Sequence, residues 1–241
     1  MLLRFAFLIL AALSVSACGY NQSDVPASSL EDVQRATYRH NGAPELVLYT
    51  AISNSTGEGA HSALMVNASQ RVIFDPAGTF RKEGAIVERG DVLFGATPRM
   101  VDSYTRFHAR ETYHVVVQRL PVPAATAEAV LQDVLSFGDV VAAMCTNSTS
   151  TVLSRADLPA PIRVTMFPKK LMEQFATVPG VQTRELFEYD SDDKSKVLEA
   201  YEPDRVAETL RTRRENGTTV QGQIAEAKAA EAQANARPKL N

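Results

Sequence analysis

The chain has 241 residues, a net charge of −3 and 45% hydrophobic residues. This length is sufficient for one domain with its own hydrophobic core and flanking segments. The charge is nearly balanced and no basic run stands out, which excludes nucleic acid as an expected partner. The chain carries no motif for a cofactor, and we expect none.

The first residues have the pattern of a secretory signal. Residues 1–15 combine a short positive start with an apolar run that is too short to span a bilayer. The run ends in Val15-Ser16-Ala17-Cys18, which resembles the lipobox of bacterial lipoproteins. The resemblance implies removal of residues 1–17 and a lipid on Cys18 that holds the protein to the membrane. An ordinary signal with an incidental cysteine is the alternative.

Composition divides the remaining chain into three parts. Residues 18–40 are polar and predict a tether between the lipid and the domain. Residues 41–203 contain the periodic apolar segments and predict one α+β domain. Residues 204–241 are rich in Ala, Glu and Gln without a wide apolar face, which predicts a tail that is helical or disordered.

The first strands of the domain carry two titratable groups at one edge. Residues 45–53 predict a strand, and a hairpin follows whose turn is the polar Asn67-Ala68-Ser69-Gln70. His61 opens the first strand of the hairpin and Asp75 closes the second. Because the two strands run in opposite directions, both side chains should lie at the same edge of the sheet.

The middle of the domain alternates loops and helices. Residues 79–110 mix glycine with aromatic residues and predict a long loop with a short helix, a natural lid. Residues 111–120 predict a strand, and residues 121–137 predict a helix that ends at Gly138. A second amphipathic segment covers residues 167–175.

Cys145 would have no partner in the chain if Cys18 carries a lipid. An unpaired cysteine in an oxidising compartment is either an inert core residue or a nucleophile. A run of Ser and Thr follows Cys145 and could place it at a helix N-terminus. There the helix dipole favours a thiolate, and free backbone N–H groups can hold an oxyanion.

The order of these motifs along the chain resembles one hydrolase group. A strand with His61-Ser62-Ala63-Leu64-Met65-Val66, then Ile73-Phe74-Asp75, and later Met144-Cys145-Thr146-Asn147 is similar to the circularly permuted papain-like hydrolases. These include the permuted NlpC-type peptidases and relatives of lecithin–retinol acyltransferase. The resemblance implies a small antiparallel sheet packed against helices.

The resemblance also implies a mechanism. Cys145 would attack an acyl carbon, His61 would act as the base, and Asp75 would orient the imidazole. The substrate would be an amide or ester, either a peptidoglycan peptide or an acyl chain. The implied location is the bacterial cell envelope, on the periplasmic face and with Gly19 favouring the outer membrane.

Two alternatives remain open at the level of sequence. Met144 stands where many members of the group have Asn, which favours a non-catalytic envelope lipoprotein that acts as a scaffold or binding partner. The second alternative is a zinc site built from His61, His108, His114 and Asp75.

Overall fold

A computed structural model describes residues 26–203 of the protein. The predicted lipidation site Cys18 and the predicted tail 204–241 lie outside these residues. In chain order the elements are α1 Leu30–Arg35, β1 Glu45–Ser53, β2 Gly59–Asn67, β3 Arg71–Phe74, β4 Val87–Arg89, β5 Val92–Phe94, α2 Pro98–His108, β6 Tyr113–Pro121, α3 Ala124–Phe137, α4 Cys145–Arg155, α5 Pro168–Ala176, β7 Gln182–Leu186 and α6 Ser195–Ala200.

The strands form one antiparallel sheet in the order β4-β5-β3-β2-β1-β6-β7. The predicted α+β class is therefore confirmed, although a sheet of seven strands is larger than the small sheet expected. β1 lies inside the sheet between β2 and β6, and eight of its nine residues are buried. Its sequence ELVLYTAIS is an almost continuous apolar run, as a strand covered on both faces requires.

Helices cover both faces of the sheet, and alternate strand residues feed two cores. On one face, side chains such as Leu48 and Leu64 pack against α3, α4 and α5. On the other face, side chains such as Tyr49 and Met65 pack against α2 and the C-terminal residues around α6. This division matters for the site, because neighbouring residues of β2 point to different layers.

Most predicted elements agree with the structure, and one segment does not. Residues 79–110 contain the predicted helix, the 11-residue α2, but they form two short strands where only a long loop was predicted. β7 and α6 were not predicted. Part of the predicted tether forms α1, and Ser28 N donates to Glu88 O of β4 at 2.8 Å. Within residues 26–203, no helix has the length and apolar content needed to cross a membrane.

Candidate active site

The hairpin of β2 and β3 brings His61 and Asp75 together as the sequence predicts. The register pairs Leu64 with Phe74, so Asp75 follows directly after the paired part of β3. His61 Nε2 donates to Asp75 Oδ1 at 2.7 Å. The aspartate side chain is only 2% exposed and that of His61 is 18% exposed. Because Asp75 is on the same face as His61, the expected register is confirmed.

Cys145 reaches the same point from the opposite face of the sheet. It is the first residue of α4, whose later turns pack on the other core. β3 pairs only with residues 64–67 of β2, so within the described residues the first half of β2 has no strand on that side. The N-terminus of α4 fills this place: Thr146 Oγ1 donates to Ser62 Oγ at 3.1 Å, and the backbone N–H of Ser62 donates to the Cys145 sulfur.

The cysteine, histidine and aspartate form one hydrogen-bonded chain. His61 bonds Cys145 as well as Asp75. Since Nε2 is held by the carboxylate, Nδ1 is the ring nitrogen left for the sulfur. Tyr104 extends the chain, because its Oη donates to the same Asp75 Oδ1 at 2.7 Å. The described residues thus contain a relay of Cys145, His61, Asp75 and Tyr104.

The electrostatics of this relay favour a thiolate and an imidazolium. Burial by itself would raise the pKa of Cys145, but the hydrogen bond and the charge of His61 lower it from 9.0 to about 7. Burial would lower the pKa of His61, yet Asp75 and Cys145 raise it from 6.5 to about 10. Burial opposes ionisation of Asp75 too, and His61 holds its pKa below the usual 3.8. Between about pH 7 and pH 10 the site therefore holds an ion pair.

The ring of His108 packs against the imidazole of His61. Its ring is stacked on that of His61 with 5.4 Å between centroids and an angle of 8°. Burial lowers the pKa of His108 to about 3, so this ring is neutral at physiological pH. His108 Nδ1 lies 3.0 Å from the carbonyl oxygen of Tyr104, which can only accept, so Nδ1 carries the proton. A neutral ring supports the charged one without repelling it.

The glycine after the Asp75 turn leaves space for the carboxylate. A Cβ atom at Gly78 would lie 1.8 Å from Asp75 Oδ2. We expect Gly78→Ala to displace the carboxylate from His61 and to shift the alkylation midpoint of Cys145 upward by about one pH unit. The measurement is the rate of iodoacetamide labelling against pH. Gly84→Ala is the control, because a Cβ there meets nothing within 4 Å although its φ of +72° adds backbone strain. An unchanged midpoint in Gly78→Ala would contradict this role.

Tyr104 stabilises the ionised form of Asp75. We expect Tyr104→Phe to lower the free energy of unfolding at pH 7 by about 1.5–3 kcal/mol, as for a hydrogen bond to a charged group. The pKa of Asp75 is depressed in the folded state, so this contribution is present above 3.8 and is lost as the pH falls below it. Urea unfolding at pH 7 and below pH 3 measures the difference. Tyr49→Phe is the control, because its Oη donates to Met65 Sδ at 3.7 Å and, within the described residues, to no charged group. Equal losses at both pH values would contradict the assignment.

Asp91 holds the two loops that carry the aspartate and the cysteine. Its Oδ2 accepts from Ala77 N at 3.0 Å and from Val140 N at 2.8 Å. Its carbonyl oxygen accepts from Asp75 N at 2.8 Å. Among the described non-glycine residues, positive φ occurs at Ala77 and Ala143 in these two loops and at Asp91 itself, in the turn between β4 and β5. Such strained conformations cluster where the surrounding structure must fix a functional geometry.

The predicted zinc alternative is only partly assembled. His61, Asp75 and His108 each place a donor atom within 4.8 Å of the others. His114 does not join them, because its Nδ1 is 2.7 Å from Asn54 Oδ1 and its ring stacks on Phe187. A metal at His61 Nε2 would also have to replace the hydrogen bond to Asp75.

Sequence reasoning found three residues of the site and missed its supports. Tyr104 and His108 lie four residues apart on α2, which places both on one face of the helix. That spacing was the available signal, but the segment around them was predicted as a long loop with a short helix, and His108 was considered only as a zinc ligand. The contributions of Ser62, Gly78 and Asp91 arise from contacts between segments far apart in the chain or from the absence of a side chain, and these leave no pattern in the sequence.

Comparison with known proteins adds no relative. No protein-family model, curated protein or solved structure matches this chain. The residues of the site and their geometry are therefore the basis for inferring what the protein does.

Proposed function

We propose that the protein is a cysteine-dependent amide or ester hydrolase or acyl transferase. The observation that carries this proposal is that Cys145, the first residue of α4, contacts the same His61 imidazole that donates to Asp75 at 2.7 Å. This contact lowers the pKa of the buried Cys145 to about 7. A cysteine that served only for packing would have its pKa raised by burial. Cys145 as a residue is 9% exposed, so it is buried but not completely enclosed.

The reaction would proceed through a thioester. The Cys145 thiolate attacks the acyl carbon and forms a C–S bond, and the carbonyl oxygen becomes an oxyanion. The free backbone N–H groups in the first turn of α4 are suited to hold that charge. As the C–N or C–O bond breaks, the leaving group takes the proton of the His61 imidazolium.

The second half restores the thiolate. Neutral His61 accepts a proton from the incoming water as its oxygen attacks the thioester carbon, and the C–S bond breaks. An alcohol or amine in place of water would make the protein a transferase. Asp75 holds Nε2 throughout, which keeps the proton-exchanging nitrogen directed at the sulfur.

The permuted papain-like architecture remains our interpretation of the fold. It is supported by the chain order His61, Asp75, Cys145 and by a cysteine that opens a helix beside the histidine strand. We likewise propose that the protein is an envelope lipoprotein anchored through Cys18, on the periplasmic face of the outer membrane. Peptidoglycan peptides and acyl esters are then the substrates to test.

The experiment uses p-nitrophenyl acetate as a general acyl donor and peptidoglycan peptides as natural amides. We expect a mass increase of one acetyl group on Cys145, followed by turnover that rises through about pH 7 and falls through about pH 10. Cys145→Ala should abolish both signals. Stable acetylation without turnover of any substrate would instead assign the protein to the non-catalytic scaffolds.

A further inference from the structure

The surface next to α5 carries several exposed apolar side chains. In the loop before α5, Val164, Met166 and Phe167 are 50%, 55% and 68% exposed. We refer to residues 163–170, which are the end of this loop and the first three residues of α5, as the apolar loop. Large apolar side chains that are exposed together mark an interaction surface more often than isolated ones do.

The backbone of the apolar loop is held rigidly in place. Arg163 N donates to Gln174 Oε1 at 2.8 Å, and Gln174 Nε2 donates to the Arg163 carbonyl at 3.2 Å. Ser150 Oγ accepts from Thr165 N at 3.0 Å and donates to the Thr165 carbonyl at 3.1 Å. Phe167 N donates to Thr165 Oγ1. Because these backbone groups form hydrogen bonds within the protein, the free-energy cost of moving this segment from water into a lipid interface is lower.

The apolar loop itself carries cations and no acidic residue, and the nearest acidic residues along the chain are Asp157 and Glu173. Arg163, Lys169 and Lys170 flank the apolar side chains, and residues 158–172 contain no acidic residue. Within residues 26–203, none of these three cations has an ion-pair partner within 4 Å. Apolar side chains bordered by cations without an ion-pair partner match the interface of an anionic bilayer. There the lipid tails contact the apolar side chains and the anionic headgroups contact the cations.

The apolar loop lies beside the candidate active site. A Cβ atom at Gly59 would lie 2.6 Å from both Lys169 N and Pro168 Cβ, and Gly59 is two residues from His61 on β2. Ser150, which holds Thr165, belongs to the helix that begins with Cys145. A surface that engages this loop would therefore be adjacent to the nucleophile.

We propose that the apolar loop docks the domain on an anionic phospholipid surface, with Phe167 and Met166 inserted among the lipids and the candidate active site beside the membrane. Docking by the apolar loop would orient the domain at the membrane, and it does not depend on acyl chemistry at Cys145. It remains distinct from the predicted anchor at Cys18, which would tether the chain without orienting the domain.

The absence of tryptophan from the chain permits a direct test. Phe167→Trp in the full chain introduces a single fluorophore in the loop, and Leu30→Trp places one at a similarly exposed apolar position on α1. Both proteins are incorporated in vesicles of phosphatidylcholine with phosphatidylglycerol, with and without brominated lipid. Any attachment made by the N-terminal segment is common to both.

We expect a blue-shifted emission and quenching by brominated lipid that are at least about twofold greater for Phe167→Trp than for Leu30→Trp. Adding Lys169→Gln or Lys170→Gln should lower the ratio of inserted to free loop by about fivefold each. Equal quenching in the two single-tryptophan proteins would overturn the proposal. A blue shift that needs no vesicles and grows with protein concentration would also overturn it, because it would assign the loop to contacts between copies.

Discussion

Alkylation of Cys145 by iodoacetamide is expected to rise through a midpoint near pH 7, and in His61→Ala this midpoint should move to pH 9 or above. The physical reason is that His61 offsets the burial of the thiol, and without it burial alone acts on the pKa. A shift of two units corresponds to about 2.7 kcal/mol of differential interaction with the thiolate.

The midpoint is the informative quantity, and the rate at a single pH is not. At pH 7 a change of pKa from 7 to 9 lowers the thiolate fraction about fiftyfold. The more basic thiolate is intrinsically about tenfold more nucleophilic, and this offsets much of the rate that is lost with the smaller thiolate fraction. Labelling is therefore followed over the full pH range by quantifying the peptide that contains Cys145, which separates it from Cys18.

His114→Ala is the matched control for this experiment. His114 is a second imidazole at the same end of the sheet, but its partners are Asn54 and Phe187. Its removal should leave the Cys145 midpoint near pH 7. A midpoint of about 9 in the unaltered protein, indifferent to His61, would show that the cysteine is only a buried core residue and would overturn the proposed function.

Asp75→Asn is expected to slow the acylation of Cys145 by p-nitrophenyl acetate at pH 7 by about a hundredfold or more. The amide keeps the size of the carboxylate but removes the charge that stabilises the His61 imidazolium. The pKa of His61 should fall from about 10 towards its ordinary 6.5, and that of Cys145 should rise in response. An asparagine NH₂ group facing Nε2 would also place the imidazole proton on Nδ1, where the ring cannot accept the proton of the thiol.

The control for this variant is Asp102→Asn on α2. Asp102 is 64% exposed and pairs with Arg106 at the surface, so its loss should change neither acylation nor stability by a large amount. The release of p-nitrophenolate in the first turnover measures acylation for all three proteins. A rate for Asp75→Asn within a factor of two of the unaltered protein would show that the hydrogen bond between Asp75 and His61 has no part in the chemistry.

The pairing of His61 with Asp75 could be predicted from the sequence because it depends on local rules. A polar turn between two apolar runs fixes which residues begin and end the strands of a hairpin, and strand alternation decides the face. The start of α4 at Cys145 was signalled in the same way by the Ser/Thr run that follows it. In both cases the determining contacts lie within about fifteen residues along the chain.

The support of the site could not be predicted, because distant segments supply it. β4 and β5 have three residues each, too few to show a period, so the segment that leads into α2 has no regular pattern. β7 is exposed at four of its five positions, and its sequence QTREL lacks the apolar alternation by which a strand is recognised. Such an edge strand is stabilised by its backbone hydrogen bonds to β6, which sequence does not record.

The sequence by itself thus determined the identities of the three candidate site residues, two of them already adjacent on one hairpin. Only the tertiary structure decided that they form one site. β3 ends early enough to leave Ser62 at an open edge, the N-terminus of α4 fills that edge from one face, and Tyr104 and His108 pack from the other. The physical reason is that burial and hydrogen bonding across the sheet set the pKa values, and these contacts exist only after both helical layers have packed.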